Sequence, residues 1–158
     1  MRAKRPKMRE TEPDLKYNSV KVAKVINRVM FDGKKSVAQK QVYIAMELAA
    51  EELGKKPLEV LEEAIRTITP QMEVRSRRVG GAAYQVPMPI RGRRGLSLSI
   101  RWLVQEANKR SNKQYHSFGE KLAAEMVDAL NNAGGAVAKR DAAHRMAEAN
   151  KAFAHFRW

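Results

Sequence analysis

The stretch MEVRSRRVGGAAYQVPMPI at residues 72–90 has the period of a strand in a chain whose other segments have the period of a helix. Met72, Val74 and Ser76 alternate with Glu73, Arg75 and Arg77, and Tyr84, Val86, Met88 and Ile90 alternate beyond Gly80-Gly81. Two alternating runs either side of a glycine pair predict a β-hairpin. Matching the apolar faces pairs Val74 with Val86 and leaves Val79-Gly80-Gly81 as a three-residue loop, with a shifted register also open. Arg75 and Arg77 then share the other face. Pro87 and Pro89 cannot donate to a ladder, so no further strand joins on their side and the ribbon projects from the rest of the molecule.

Upstream of the ribbon the apolar spacing is helical. Val22, Ile26 and Val29 recur after Ser19, and Asp32-Gly33 breaks that helix and exposes Lys34 and Lys35. A second helix, about Ser36 to Leu53, carries Val42, Ala45, Met46, Ala49 and Leu53 on one face and ends at Gly54. A third begins at Pro57, where the missing N–H has no intrahelical partner to lose, and buries Leu61, Ala64, Ile65 and Ile68 before Pro70. Downstream, a helix from about Arg93 to Arg110 faces the core with Leu96, Ile100, Leu103, Val104 and Ala107. Arg94, Arg101, Asn108 and Lys109 cluster on its opposite side, with Trp102 at their margin. Ser117 and Glu120 have the spacing of a capping box, opening a helix whose core face is Phe118, Leu122, Met126 and Ala129. After Gly134-Gly135 a last helix sets Ala142, Met146, Ala149, Phe153 and Phe156 on one side, and Arg140, His144, Lys151 and His155 nearly opposite. Residues 1–14 have two prolines, scattered charge and no apolar period, and are read as an arm that orders on binding. The fold class is mainly α: a single domain of about six helices over residues 15–158, with a protruding β-hairpin at about 72–90 and an extended basic N-terminal arm.

A chain of 158 residues is one ordinary domain, long enough to bury roughly 70% of its unfolded surface. Thirty-one Lys and Arg against seventeen Asp and Glu give a net charge of +14, which calls for a polyanionic partner, nucleic acid first. The excess is uneven. Residues 1–9 hold five cations and no acid, residues 10–70 ten of each, residues 71–110 nine cations against two acids, and residues 111–158 seven against five. The ribbon and the helix after it therefore supply half of the excess. The absence of cysteine excludes a disulfide framework, thiolate metal sites and Cys catalysis, and fits a reducing compartment, with the cytosol as the default. The longest apolar run is the five residues Val42 to Met46, so neither a membrane span nor a secretion signal is expected.

Candidate chemistry other than anion binding fails on spacing. Gly33-Lys34-Lys35-Ser36 ends like a phosphate-binding P-loop, but that motif needs a glycine where Arg28 stands, and the site follows a helix instead of a strand. His144 and His155 are eleven residues apart, roughly 16 Å along a helix, too far to share a metal. Glu51-Glu52 and Glu62-Glu63 are helix neighbours that splay apart, so no carboxylate pair converges on a substrate. Neither enzyme activity, cofactor nor metal is expected. By contrast Arg75, Arg77, Arg78, Arg91, Arg93 and Arg94 put six guanidiniums on the ribbon and its outgoing loop, and guanidinium favours bidentate phosphate contact. Trp102 either packs against the fold or stacks on an unpaired base.

Several strings are similar to one family: DGKKS at 32–36, VRSRRVGGAAYQVP at 74–87, RWLVQEANKRS at 101–111 and HRMAEANKAFAHFRW at 144–158. They resemble small-subunit ribosomal protein seven of the bacterial or organellar type, in order and across nearly the whole chain. The resemblance implies a structural constituent of the small ribosomal subunit with a helical fold and protruding hairpin. It further implies primary binding to the 3′ major domain of small-subunit ribosomal RNA, nucleating assembly of the subunit head in the cytoplasmic or an organellar ribosome. It places the ribbon and C-terminal region near exit-site tRNA and mRNA, beside small-subunit ribosomal protein eleven and other head proteins. RNA contacts carried onto matching positions are Arg2, Lys4, Arg5 and Arg9 in the arm, Lys34 and Lys35, then Arg75, Arg77, Arg78, Arg94, Arg101, Lys109 and Arg110. Arg91, Arg93, Asn108 and Trp102 join them from the reading of the basic face, with Arg140, His144, Lys151 and His155 as a further RNA or partner face. The connection SNKQYHSF at 111–118 is longer than the family's usual one.

The mechanism expected is displacement of counterions from phosphates by Lys and Arg, with the folded face reading RNA shape. The basic surface alone also permits a regulatory protein that binds its own messenger or DNA, whereas a basic nuclease would need a cluster of Asp, Glu and His on the basic face, and none is there. No broad apolar face is left over, so the chain is expected to be a monomer before assembly.

Overall fold

The computed structural model describes residues 10–157. Six α-helices form, the first five where the apolar spacing puts them: α1 Val20–Val29, α2 Lys35–Leu53, α3 Pro57–Ile68, α4 Gly92–Lys109, α5 Phe118–Leu130 and α6 Gly134–Ala149. One antiparallel ribbon, β1 Met72–Val79 and β2 Ala82–Pro89, stands between α3 and α4, and a 3₁₀ helix, Lys151–Phe156, follows α6. Local chemistry sets the helix ends. Gly54 takes a left-handed φ of 64° and returns its N–H to the Ala50 carbonyl, closing α2. Ser117 Oγ accepts the Glu120 N–H at 3.2 Å while the Glu120 carboxylate takes the His116 N–H at 2.9 Å, which closes the start of α5.

The core is apolar and built by α1 to α5, with Ala136 and Val137 from the first turn of α6. Ile26, Met46, Leu61, Ile68, Leu103, Leu122 and Met126 are fully buried. Each contributes on the order of 1.5–3 kcal/mol by burial, against about 0–1 kcal/mol for an exposed ion pair. The helical frame therefore does not depend on its surface cations. Leu53, Leu96, Phe118 and Trp102 are half-buried around the edge of this core. At the N-terminal edge Asp14 is buried, its carboxylate accepting the Lys16 and Tyr17 N–H groups and the Tyr43 hydroxyl at 2.7 Å. No helix among the described residues is long and apolar enough to cross a membrane.

The ribbon forms, but its register differs by one residue from the apolar match. Arg75 lies opposite Val86, Val74 opposite Pro87 and Val79 opposite Ala82, so the loop is the two residues Gly80-Gly81. Both glycines have positive φ, 58° and 91°, which is the type I′ geometry whose twist suits a right-twisted ribbon. That turn chemistry overrides the apolar pairing of Val74 with Val86. In consequence Arg75 and Arg77 share a face with Val86 and Tyr84, and Glu73, not Val74, is the buried residue of β1. Val86 and Pro87 are both buried at the ribbon's base, whereas Arg78, Gly80, Gly81, Ala82 and Ala83 at the tip are exposed.

The last helix also departs from expectation. Its buried residues are Ala136, Val137 and Ala147; Met146 is 55% exposed and Ala149 is exposed. The helix ends at Asn150, whose backbone N–H and side-chain amide both donate to the Met146 carbonyl, at 3.2 and 2.8 Å, and whose own carbonyl accepts the Phe153 N–H at 3.0 Å as the 3₁₀ turn begins. The change to 3₁₀ geometry rotates the residues beyond it off the helical stripe. Phe153 and Phe156 consequently leave the core and pack on Tyr84 of β2, with ring centroids 5.3 and 5.2 Å away.

Candidate nucleic-acid interface

Glu73 organises the base of the ribbon. Its nearly buried carboxylate holds Arg75 Nη2 at 2.5 Å through one oxygen and Arg94 Nε at 2.6 Å through the other. Two of the six ribbon-region arginines are thus partnered, and the first turn of α4 is tied to β1. Arg77, Arg78, Arg91 and Arg93 form no ion pair among the described residues. Arg78 is exposed near the tip and Arg77 half-buried beside it, and alternation along the strand points them to opposite faces. The ribbon is therefore positive on both sides.

A groove of about 660 Å³ runs between α1 and α4. Arg93 and Arg101 line it from α4, and Lys24, Asn27 and Arg28 line it from α1, with Glu10 and Thr11 at its margin. A second groove of about 480 Å³ shares Asn27, Glu10 and Thr11 with the first and reaches Lys35. Glu10, Glu12 and Asp14 line this second groove against Lys35 alone, so the cationic track is the groove between α1 and α4, and Lys34 and Lys35 stand exposed apart from it at the start of α2. Lys24, Asn27 and Arg28 were not singled out from the sequence. The signal was present: Val20, Lys24 and Arg28 fall four residues apart on the face opposite Val22, Ile26 and Val29.

Other cations serve the fold. Arg110 sits between Glu125, at 2.7 Å, and Asp128, and its guanidinium also faces the Tyr115 ring in the 111–118 connection. Burial works against the Arg110 charge, but the two carboxylates outweigh it and push its pKa up. Glu125, only 2% exposed, uses its other oxygen to accept the Ala136 N–H at 2.8 Å at the start of α6, where the helix dipole favours an anion. Lys109 and Lys139 flank Glu106 at 2.9 and 2.8 Å. Burial raises the Glu106 carboxyl, yet these two ammoniums together hold it below the usual carboxylate range. Gly135 permits this approach, since a Cβ there would lie 2.7 Å from Glu106 Oε2.

Arg140 and His144 face inward. Arg140 Nη1 donates to the Thr67 carbonyl at 2.7 Å in the last turn of α3, and His144 Nε2 accepts the Gln71 N–H at 3.0 Å just before β1. Lys151 and His155 are exposed on the 3₁₀ helix, so the four residues read as one face divide into two inside and two outside. Asn108 is exposed beside Lys109, and Trp102 is half-buried against the core. Arg2, Lys4, Arg5 and Arg9 lie outside the described residues. Among the described residues no three His, Asp or Glu side chains gather as metal ligands.

A helical frame with a two-faced cationic ribbon and a cation-lined track beside it presents the kind of surface that nucleic-acid-binding proteins use. The ribosomal protein S7p/S5e family model matches residues 1–151, and the chain belongs to that family. It is 61% identical to the small ribosomal subunit protein uS7 of Caldanaerobacter subterraneus subsp. tengcongensis over 150 residues, 95% of this chain and 94% of the relative. It is 59% identical to the uS7 protein of Dictyoglomus thermophilum and 57% identical to that of Symbiobacterium thermophilum, each over the same shares of both chains.

Proposed function

We propose that the track formed by Lys24, Arg28, Arg93 and Arg101, together with Arg77, Arg78 and Arg91 of the ribbon region and Lys34 and Lys35, binds the 3′ major domain of small-subunit ribosomal RNA. Membership in the family makes the chain a structural protein of the small ribosomal subunit that associates with ribosomal RNA, and not an enzyme. The finer role is primary binding: a monomer engages the RNA first, nucleates the subunit head, and holds the ribbon and C-terminal segment near exit-site tRNA, mRNA and small-subunit ribosomal protein eleven. One observation carries this reading. The acids at the ribbon base and along α4 and α5 are held by the protein's own cations, Glu73 by Arg75 and Arg94, Glu106 by Lys109 and Lys139, and Glu125 by Arg110, while Lys24, Arg28, Arg93 and Arg101 face Glu10 alone among the acids of their groove and, like Arg77 and Arg78 of the ribbon, form no ion pair among the described residues. Such cations displace condensed counterions from phosphate, and a rigid track restricts which RNA shapes can present phosphates to it.

The deciding experiment is binding of the purified chain to a 3′-domain ribosomal RNA fragment and to a scrambled RNA of equal length, titrated through salt. Preference for the ribosomal fragment that persists at physiological salt is the expected result. Equal affinities that collapse together with salt would reduce the protein to a general polyanion binder.

A further inference from the structure

Phe31 lies in the connection between α1 and α2 with 70% of its surface exposed. Every other Phe, Tyr and Trp among the described residues is at least partly covered by the fold. Its position is not that of a loose loop. The Phe31 carbonyl accepts the Lys34 N–H at 2.9 Å across Asp32 and Gly33, whose φ values of 50° and 74° make a type I′ turn. The Met30 N–H is bonded back to Ile26 on one side, and the Lys35 N–H to Gly33 at 2.8 Å on the other. The turn brings the backbones of Phe31 and Lys34 together, so an exposed aromatic residue and an exposed lysine flank one hydrogen-bonded turn.

The surroundings select the ligand. Residues 27–40 hold Arg28, Lys34, Lys35 and Lys40 against the single acid Asp32. Lys34 and Lys35 have no ion-pair partner among the described residues, and the cations found over aromatic rings there cover Tyr17, Tyr43 and Tyr115, leaving the Phe31 face open. Phosphate alone would require only the lysines. A flat apolar face beside them matches a nucleotide whose base is unpaired, because every base offers a π-face to stack on while its phosphate meets a cation. We infer that Phe31 is a stacking platform for an unpaired RNA base whose flanking phosphate is held by Lys34 or Lys35. This rests on the RNA-binding reading above and adds to it a contact selective for single-stranded RNA.

The test is equilibrium binding of the full chain to an unstructured oligoadenylate and to an RNA duplex of equal length, for the wild type, Phe31→Leu, Phe31→Tyr and the double variant Lys34→Ala/Lys35→Ala. Phe31→Leu is expected to weaken oligoadenylate binding by roughly five- to a hundredfold, with duplex affinity and the salt slope unchanged, and Phe31→Tyr to restore it. The double lysine variant is expected to weaken both RNAs and flatten the salt slope. A Phe31→Leu protein that binds both RNAs like wild type would overturn the stacking role and leave the ring as a protein-docking residue. Equal weakening towards both RNAs would overturn it too, by reducing the ring to a support for the turn. A wild-type chain that binds neither RNA would remove the RNA-binding reading itself, which is a different failure from a wild-type chain that binds while Phe31→Leu matches it.

Discussion

Arg94 donates its Nε–H to Glu73 at 2.6 Å, joining the first turn of α4 to a buried carboxylate in β1 across 21 positions of sequence. The bond ties a two-stranded ribbon, marginal in isolation, to the helices, and the packing of Tyr84 on Phe153 and Phe156 adds a second attachment. Glu73→Ala is expected to cost about 1–3 kcal/mol and to speed amide exchange across 72–89 while helical circular dichroism is kept. Unchanged exchange in the ribbon would mean that Val86 and Pro87 anchor it without the carboxylate.

Cations without partners and cations in clamps should separate in one binding assay. Arg77→Ala combined with Arg78→Ala is expected to lower the slope of log affinity against log salt by about 1.4–1.8, since each phosphate left unneutralised lowers it by about 0.7–0.9, without loss of helix. Lys24→Ala with Arg28→Ala should do the same if the groove between α1 and α4 carries RNA. A slope equal to wild type in either pair removes that surface from the interface.

Arg110→Ala should behave in the opposite way. It leaves the Glu125 carboxylate buried without its cation, which costs on the order of 3–5 kcal/mol, and urea denaturation would register the loss. At temperatures where the variant remains folded, its salt slope should match the wild type. A stable Arg110→Ala protein with a flattened slope would reassign this arginine to RNA.

Tyr43 is expected to make the fold less stable in alkali. Burial first, and then the Asp14 carboxylate that accepts its hydroxyl, push its pKa up to about 12. The folded value lies above the unfolded value of about 10, so the stabilisation is complete below that pH and is lost as pH rises through the folded value. Ultraviolet titration should show one tyrosine ionising late, and Tyr43→Phe should remove that step and flatten the decline in stability between about pH 10 and 12. Ionisation of all four tyrosines together would contradict the Asp14 contact.

The helices were legible because their information is local. Pro57, Gly54 and the Ser117 and Glu120 pair act within a turn of their own position, and the stripes through Val22, Val42, Leu61, Leu103 and Leu122 need only the 3.6-residue period. The ribbon was legible as a ribbon, but its register was decided by Gly80 and Gly81 and not by Val74 and Val86. Those glycines carried the signal for a two-residue turn, and the apolar match was the weaker of two competing cues. Past Asn150 the helical wheel loses its meaning, because the Phe153 N–H bonds three residues back to the Asn150 carbonyl and the 3₁₀ pitch moves Phe153 and Phe156 off the α-helical stripe.

By itself the sequence determined that this protein is a helical domain with a cationic ribbon, poor in enzymatic chemistry and rich in arginine where the ribbon meets α4. Which arginines face outward was decided only by the tertiary structure. Arg77 and Arg101 look no different in sequence from Arg110 and Arg140, yet Arg110 is held by Glu125 across 15 positions and Arg140 by the Thr67 carbonyl across 73. Charge and periodicity describe a residue and its helical neighbours. Whether a cation is available to a phosphate depends on the carboxylates and carbonyls that packing brings to it from distant parts of the chain.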